Sequence, residues 1–147
     1  MRQNGTRLAN HIKLRTRESR IDVVRFTHAG PFEGYPLPGS LRRDPRGVIS
    51  TARSLIVFGV YIGGYRLPGW EDPSTGRTSR LFLSGFYSDV ITPLESIRFY
   101  LHGQGFSAVI CDSLQSGSSV LPLKLAAVRA GIGWQGKNTL LIFRRNV

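Results

Sequence analysis

Apolar positions along the chain switch between helical and extended spacing, and the switches outline the elements. Leu8 and Ile12, one helical turn apart, predict a short first helix. The β-branched residues within Ile21 to Phe26 predict a first strand. From Ala29 to about Arg46, Pro31, Pro36, Pro38 and Pro45 alternate with Gly30, Gly34, Gly39 and Gly47, a composition that continues neither regular structure, so a loop is expected. Ser54 to Ile62 is almost unbroken apolar sequence, the pattern of a central strand covered on both faces, and it stops at Gly63-Gly64. Leu67 to Arg77 reads as a second surface loop carrying Trp70.

Two readings compete for the next helix. Thr92-Pro93-Leu94-Glu95 has the form of a capping box with proline at the first helical position, which starts the helix at Thr92. Val90, Leu94, Ile97 and Leu101 share one face, which starts it earlier and carries it through Pro93 with a kink. Gly103 ends it in both cases, with His102 placed to complement the helix C-terminus. Ala108 to Cys111 predicts a further strand that delivers Asp112 at its C-terminal end, where open α/β sheets bind ligands.

The last segment, Pro122 to Phe143, carries the densest signal. Leu123, Ala126, Ala127 and Ala130 form the small-residue face of a closely packed helix, Gly131 stands where a left-handed C-cap is expected, and Thr139 to Phe143 reads as a buried strand. Gly131, Gly133 and Gly136 satisfy G-x-G-x-x-G, yet their order is helix, glycines, strand. A dinucleotide fold needs strand, glycines, helix, so that the pyrophosphate meets a helix N-terminus. Lys137 is followed by Asn138, which removes the P-loop. What remains is a glycine loop whose bare backbone admits a ligand or another chain segment. Lys137 supplies a cation and Asn138 both a donor and an acceptor; the plain alternative is a solvated lysine and a turn-forming asparagine.

AVRAGIGWQGKNTLLI, over Ala126 to Ile142, resembles the signature of the epoxyqueuosine reductases and the related reductive dehalogenases. DPRGVISTARSLIVFGVYI, Asp44 to Ile62, is similar to that family's DPR-x-LLPGARSVIV strand. Tyr87 stands where the family has the tyrosine of a G-R-D-Y-H segment, and CDS, Cys111 to Ser113, resembles its V-D-S/T. The resemblance implies an α/β (α+β), nitroreductase-like corrinoid-binding domain with a central mixed sheet flanked by helices, in a reductive enzyme that uses cobalamin and iron-sulfur clusters. It also implies Asp112 and Tyr87 as catalytic proton donors, and Gly131, Gly133, Trp134, Gly136, Lys137, Asn138 and Thr139 as the cofactor-binding segment. By chemistry alone, Asp112 fits either a general acid or the cap of a turn with Ser113, and Trp134 either a cofactor contact or a packing residue.

Several family features are missing. Arg, Asp and His do not surround Tyr87, and PLKLAAV lacks the acidic residue of the family's helix after its aspartate. Cys111 is the single cysteine, so the family's clusters would have to come from a missing iron-sulfur module or a partner subunit, and the chain is expected to be either a fragment or a binding subunit that needs such a partner. The implied organisation is a basic segment, 1–20, followed by one domain, 21–147.

Composition fits a folded chain: 147 residues, 41% hydrophobic, with no repeat and no run long enough to span a membrane. The N-terminus lacks a secretory core, so a cytoplasmic protein is expected. The net charge of +11, from 20 basic and 9 acidic residues, favours polyanions, tRNA among them. The alternative functions from other classes are a non-catalytic cobalamin- or nucleotide-binding module and a basic RNA-binding domain; no zinc spacing or RNA-binding submotif accompanies the charge.

Overall fold

The computed structural model describes residues 2–19, 21–34, 43–61, 72, 74, 86–111, 121–137 and 141–143. The elements are α1 (Arg2–Arg17), β1 (Val23–His28), a 3-10 turn (Pro45–Gly47), β2 (Ser54–Gly59), α2 (Phe86–Gly103), α3 (Leu123–Arg129), β3 (Gly133–Gln135) and β4 (Leu141–Phe143). They form a mixed α and β architecture.

Strands β1 and β2 pair antiparallel, with Val24 opposite Phe58 and Phe26 opposite Ile56. Their alternation sorts the side chains onto two faces. On one face Val24, Phe26, Ile56 and Phe58 meet Leu8 and Ile12 of α1, and Ile97 and Leu101 of α2. On the other, Leu55 and Val57 pack against Phe32 and against Leu125 and Ala126 of α3. Helices therefore cover both faces of β2, but among the described residues it ends at Gly59 and pairs with β1 alone, which corrects the central strand expected over Ser54 to Ile62. Beyond the paired residues, the Asp22 amide donates to the Gly59 carbonyl at 3.0 Å, and the Asp22 carboxylate accepts from the Tyr61 amide at 2.7 Å.

The central mixed sheet expected from the resemblance is not what the described residues form. They make two separate antiparallel pairs, β1 with β2 and β3 with β4. Residues 106–111 have no regular structure, which corrects the strand expected at Ala108 to Cys111. Ala108 packs on the α1/α2 core, and its amide donates to His102 Nε2 at 3.2 Å. His102 thus ties the end of α2 to the segment that follows.

Helix α2 takes the longer of its two readings, with Pro93 inside it and Thr92 not its N-cap. Continuing through Pro93 forgoes one backbone hydrogen bond, since a proline cannot donate one. Helices α2 and α3 then end in the same way. In α2, Gly105 (φ 82°) donates to His102 and Phe106 to Leu101; in α3, Gly131 (φ 74°) donates to Val128 and Ile132 to Ala127. This paired bonding is the Schellman motif, which satisfies carbonyls the helix leaves open. Their sequels differ: Ile132 is buried, whereas Phe106 is 52% exposed.

Candidate functional site: a glycine-capped helix and its hairpin

The family-like segment from Ala126 to Ile142 folds as the C-terminal half of α3, its left-handed cap and a short hairpin. Leu125, Ala126 and Ala127 are the buried face of α3, and Leu123, expected on that face, is exposed. Gly131 takes the left-handed conformation expected of it, with open space where a Cβ would stand. Ile132, 1% exposed, anchors the turn in the core.

The glycine loop expected over 131–136 is instead partly strand. Gly133 begins β3, and Gly133, Trp134 and Gln135 pair with Phe143, Ile142 and Leu141. Gly136 follows the strand, and Lys137 is exposed. The buried strand expected at Thr139 to Phe143 is β4, confined to Leu141–Phe143 among the described residues, and Ile142 is 41% exposed. Trp134, its register partner, is 49% exposed. An apolar cross-strand pair is therefore open to solvent, beside the polar Gln135 and Lys137.

Arg129, which the sequence did not single out, locks this unit to the rest of the fold. Its guanidinium donates to the carbonyl of Gly30 and, at 2.6 Å, to that of Pro31, and it lies 3.8 Å over the ring of the fully buried Phe32. Two carbonyls of a proline-glycine loop that cannot bond within a sheet thus receive a charged donor. The position of Arg129 in the last turn of a helix also favours a cation.

The other family-like stretch, Asp44 onward, makes a self-contained turn. Asp44 caps the 3-10 turn by accepting from the Arg46 amide at 3.0 Å, Pro45 occupies the first position, and the Arg46 guanidinium grips the Asp44 carboxylate at 2.7 to 3.0 Å. Hydrogen bonds from the Arg46 side chain and then its amide hold the Asp44 carboxyl below its usual pKa, and the same contact raises that of Arg46.

Of the remaining expected site residues, Tyr87 falls in the first turn of α2, while Asp112, Asn138 and Thr139 lie outside the described residues, as does Trp70. Cys111 is half-buried.

A second cluster sits between α1 and α2, where sequence patterning signalled only surface. His11 stacks on Tyr100, with ring centroids 4.2 Å apart and an interplanar angle of 17°. Arg15 donates through Nε to His11 Nε2 at 2.9 Å and through Nη1 to Ser96 Oγ at 3.3 Å, and lies 4.9 Å from the Tyr100 centroid. Arg15, Ser96 and Tyr100 border an open groove of about 610 Å³ lined also by Thr92, Glu95 and Phe99. Helical spacing of Ser96, Phe99 and Tyr100 on α2, and of His11 and Arg15 on α1, is the signal that gathers them, but only packing brings the two helices together.

Comparison of the chain with protein-family models, with curated proteins and with solved structures gives no match.

Proposed function

We propose that the unit from α3 to β4 is one wall of a cobalamin site in a reductive enzyme resembling the epoxyqueuosine reductases, within a nitroreductase-like fold. The observation that carries this reading is the solvent-open pair Trp134 and Ile142 on a hairpin that leaves the left-handed Gly131 cap. A corrinoid has a broad apolar face rimmed by amides. Trp134 and Ile142 match the face, and the exposed Lys137 that follows β3 matches the rim, so the chemistry of the available groups fits the cofactor. Gly133, without a side chain, keeps the β3 backbone open to close approach.

Bound cobalamin would supply the low-valent cobalt chemistry, and electrons would come from an iron-sulfur module, for which this chain offers no ligand set beyond Cys111. The chain's own residues hold and orient the cofactor. The carboxyl of Asp112 or the phenol of Tyr87 is assigned the proton delivered to the substrate, whose class in the resembling family is tRNA. A reducing cytoplasmic compartment suits both the clusters and a single cysteine outside any disulfide.

Titration of the protein with cobalamin, followed in the visible corrin spectrum, tests the wall. A saturable change is expected, weakened about tenfold by Trp134→Ala and by Gly133→Val in protein that stays folded. The absence of a spectral change in a chain that includes the iron-sulfur module would overturn the reading.

A further inference from the structure

We infer that the groove between α1 and α2 is a second binding site, for a small ligand that joins a planar ring to a phosphate, namely a mononucleotide. Arg15 is the centre of the inference. It is exposed and has no carboxylate partner among the described residues, yet it is not free to wander. His11 holds its Nε, Ser96 holds one N–H of Nη1, and Tyr100 lies beneath it. The N–H groups on Nη2 and the second on Nη1 form the edge that grips a phosphate bidentately. A guanidinium fixed before the ligand arrives loses little freedom on binding.

The other groups complete the match. Glu95, the acid lining the groove, is neutralised by Arg98 at 2.6 Å, so it does not repel an anion at full strength. Thr92 contributes a further hydroxyl. Phe99, 65% exposed and not engaged in the core, has the Arg98 guanidinium 4.7 Å over one face of its ring, so a base would stack on the other. The groove is shallow and open, with about 610 Å³ of space, so a ligand in it would remain partly exposed to solvent. Exposed Arg7 and Arg17 on α1 add a positive field that concentrates anions near the groove.

Binding of AMP to the full chain, measured by calorimetry and by amide chemical shifts, tests this, with adenosine and inorganic phosphate as probes that each lack one half of the ligand. AMP is expected to bind at least about tenfold more tightly than either, with shifts centred on residues 92–100. Arg15→Gln is expected to weaken AMP about tenfold or more and Phe99→Ala severalfold, whereas Lys13→Gln, which removes the same charge from the same helix, changes it less than about twofold. AMP no tighter than inorganic phosphate, equal losses in Arg15→Gln and Lys13→Gln, or no binding at all would each overturn the site. Should Arg15→Gln fail to fold, the exposed Phe99→Ala decides alone: unchanged AMP affinity there overturns the stacking site, and a severalfold loss supports it.

Discussion

Arg129 donates a hydrogen bond to the carbonyl oxygen of Pro31 at 2.6 Å, joining the last turn of α3 to a loop 98 positions earlier in the chain. Together with the bond to Gly30 and the cation–π contact to Phe32, it makes the end of α3 a fixed point from which the Gly131 turn and the hairpin depart.

Arg129→Ala is therefore expected to cost about 2 to 3 kcal/mol of stability, because two partly buried carbonyls lose a charged donor and the Phe32 ring loses its cover. Arg129→Lys should recover less than half of that, since an ammonium cannot reproduce the planar fork. Urea unfolding followed by circular dichroism measures both. A loss below about 0.5 kcal/mol for the alanine variant would show that the clamp is not a determinant of the fold.

At Gly131 the cost of a side chain is conformational rather than steric, since nothing stands within 4 Å of a Cβ placed there. Gly131→Ala should destabilise by about 1 kcal/mol and Gly131→Asn by less, because asparagine tolerates the left-handed region. At Gly30, by contrast, an added Cβ would meet His28 Nδ1 at 2.8 Å. Gly30→Ala should displace that ring and break the Gly30 amide bond to it, visible as a change in the His28 imidazole shifts.

Pro93 interrupts the hydrogen bonding of α2 without ending the helix. Pro93→Ala restores a backbone donor and is expected to stabilise the protein by about 1 to 3 kcal/mol. Thermal unfolding should rise accordingly. An unchanged or lower midpoint would mean that the proline contributes through the shape it imposes on α2.

The turn at Asp44 carries a pH dependence. Its folded carboxyl titrates below the usual value of 3.8, so the contact with Arg46 favours the fold above that pH and is lost as pH falls through the lower folded value. An NMR titration should place the Asp44 midpoint below 3.8, and Arg46→Gln should return it toward 3.8. A midpoint that Arg46→Gln leaves in place would assign the shift to another cause.

What the sequence by itself determined is whatever one residue decides through its own backbone. Glycine at 131 takes the left-handed cap, the proline-glycine composition after Ala29 leaves the described residues 29–34 without helix or strand, and Asp44-Pro45-Arg46 closes its own turn, because each rests on steric limits or bonds spanning a few positions. The two-faced apolar run of β2 was also legible, since a strand covered on both sides has no polar face to show. Tertiary structure decided what depends on distant partners. The capping signals at Thr92 yielded to a helix that begins at Phe86, and residues 108–111 kept strand-forming composition without a strand. Gly133 to Gln135 became strand because Leu141–Phe143 lies alongside it. The joining of Arg15 to Ser96 and of Arg129 to Pro31 has no trace in local pattern, because a surface arginine and a clamping arginine look alike until packing places a carbonyl, a hydroxyl or a ring beside them.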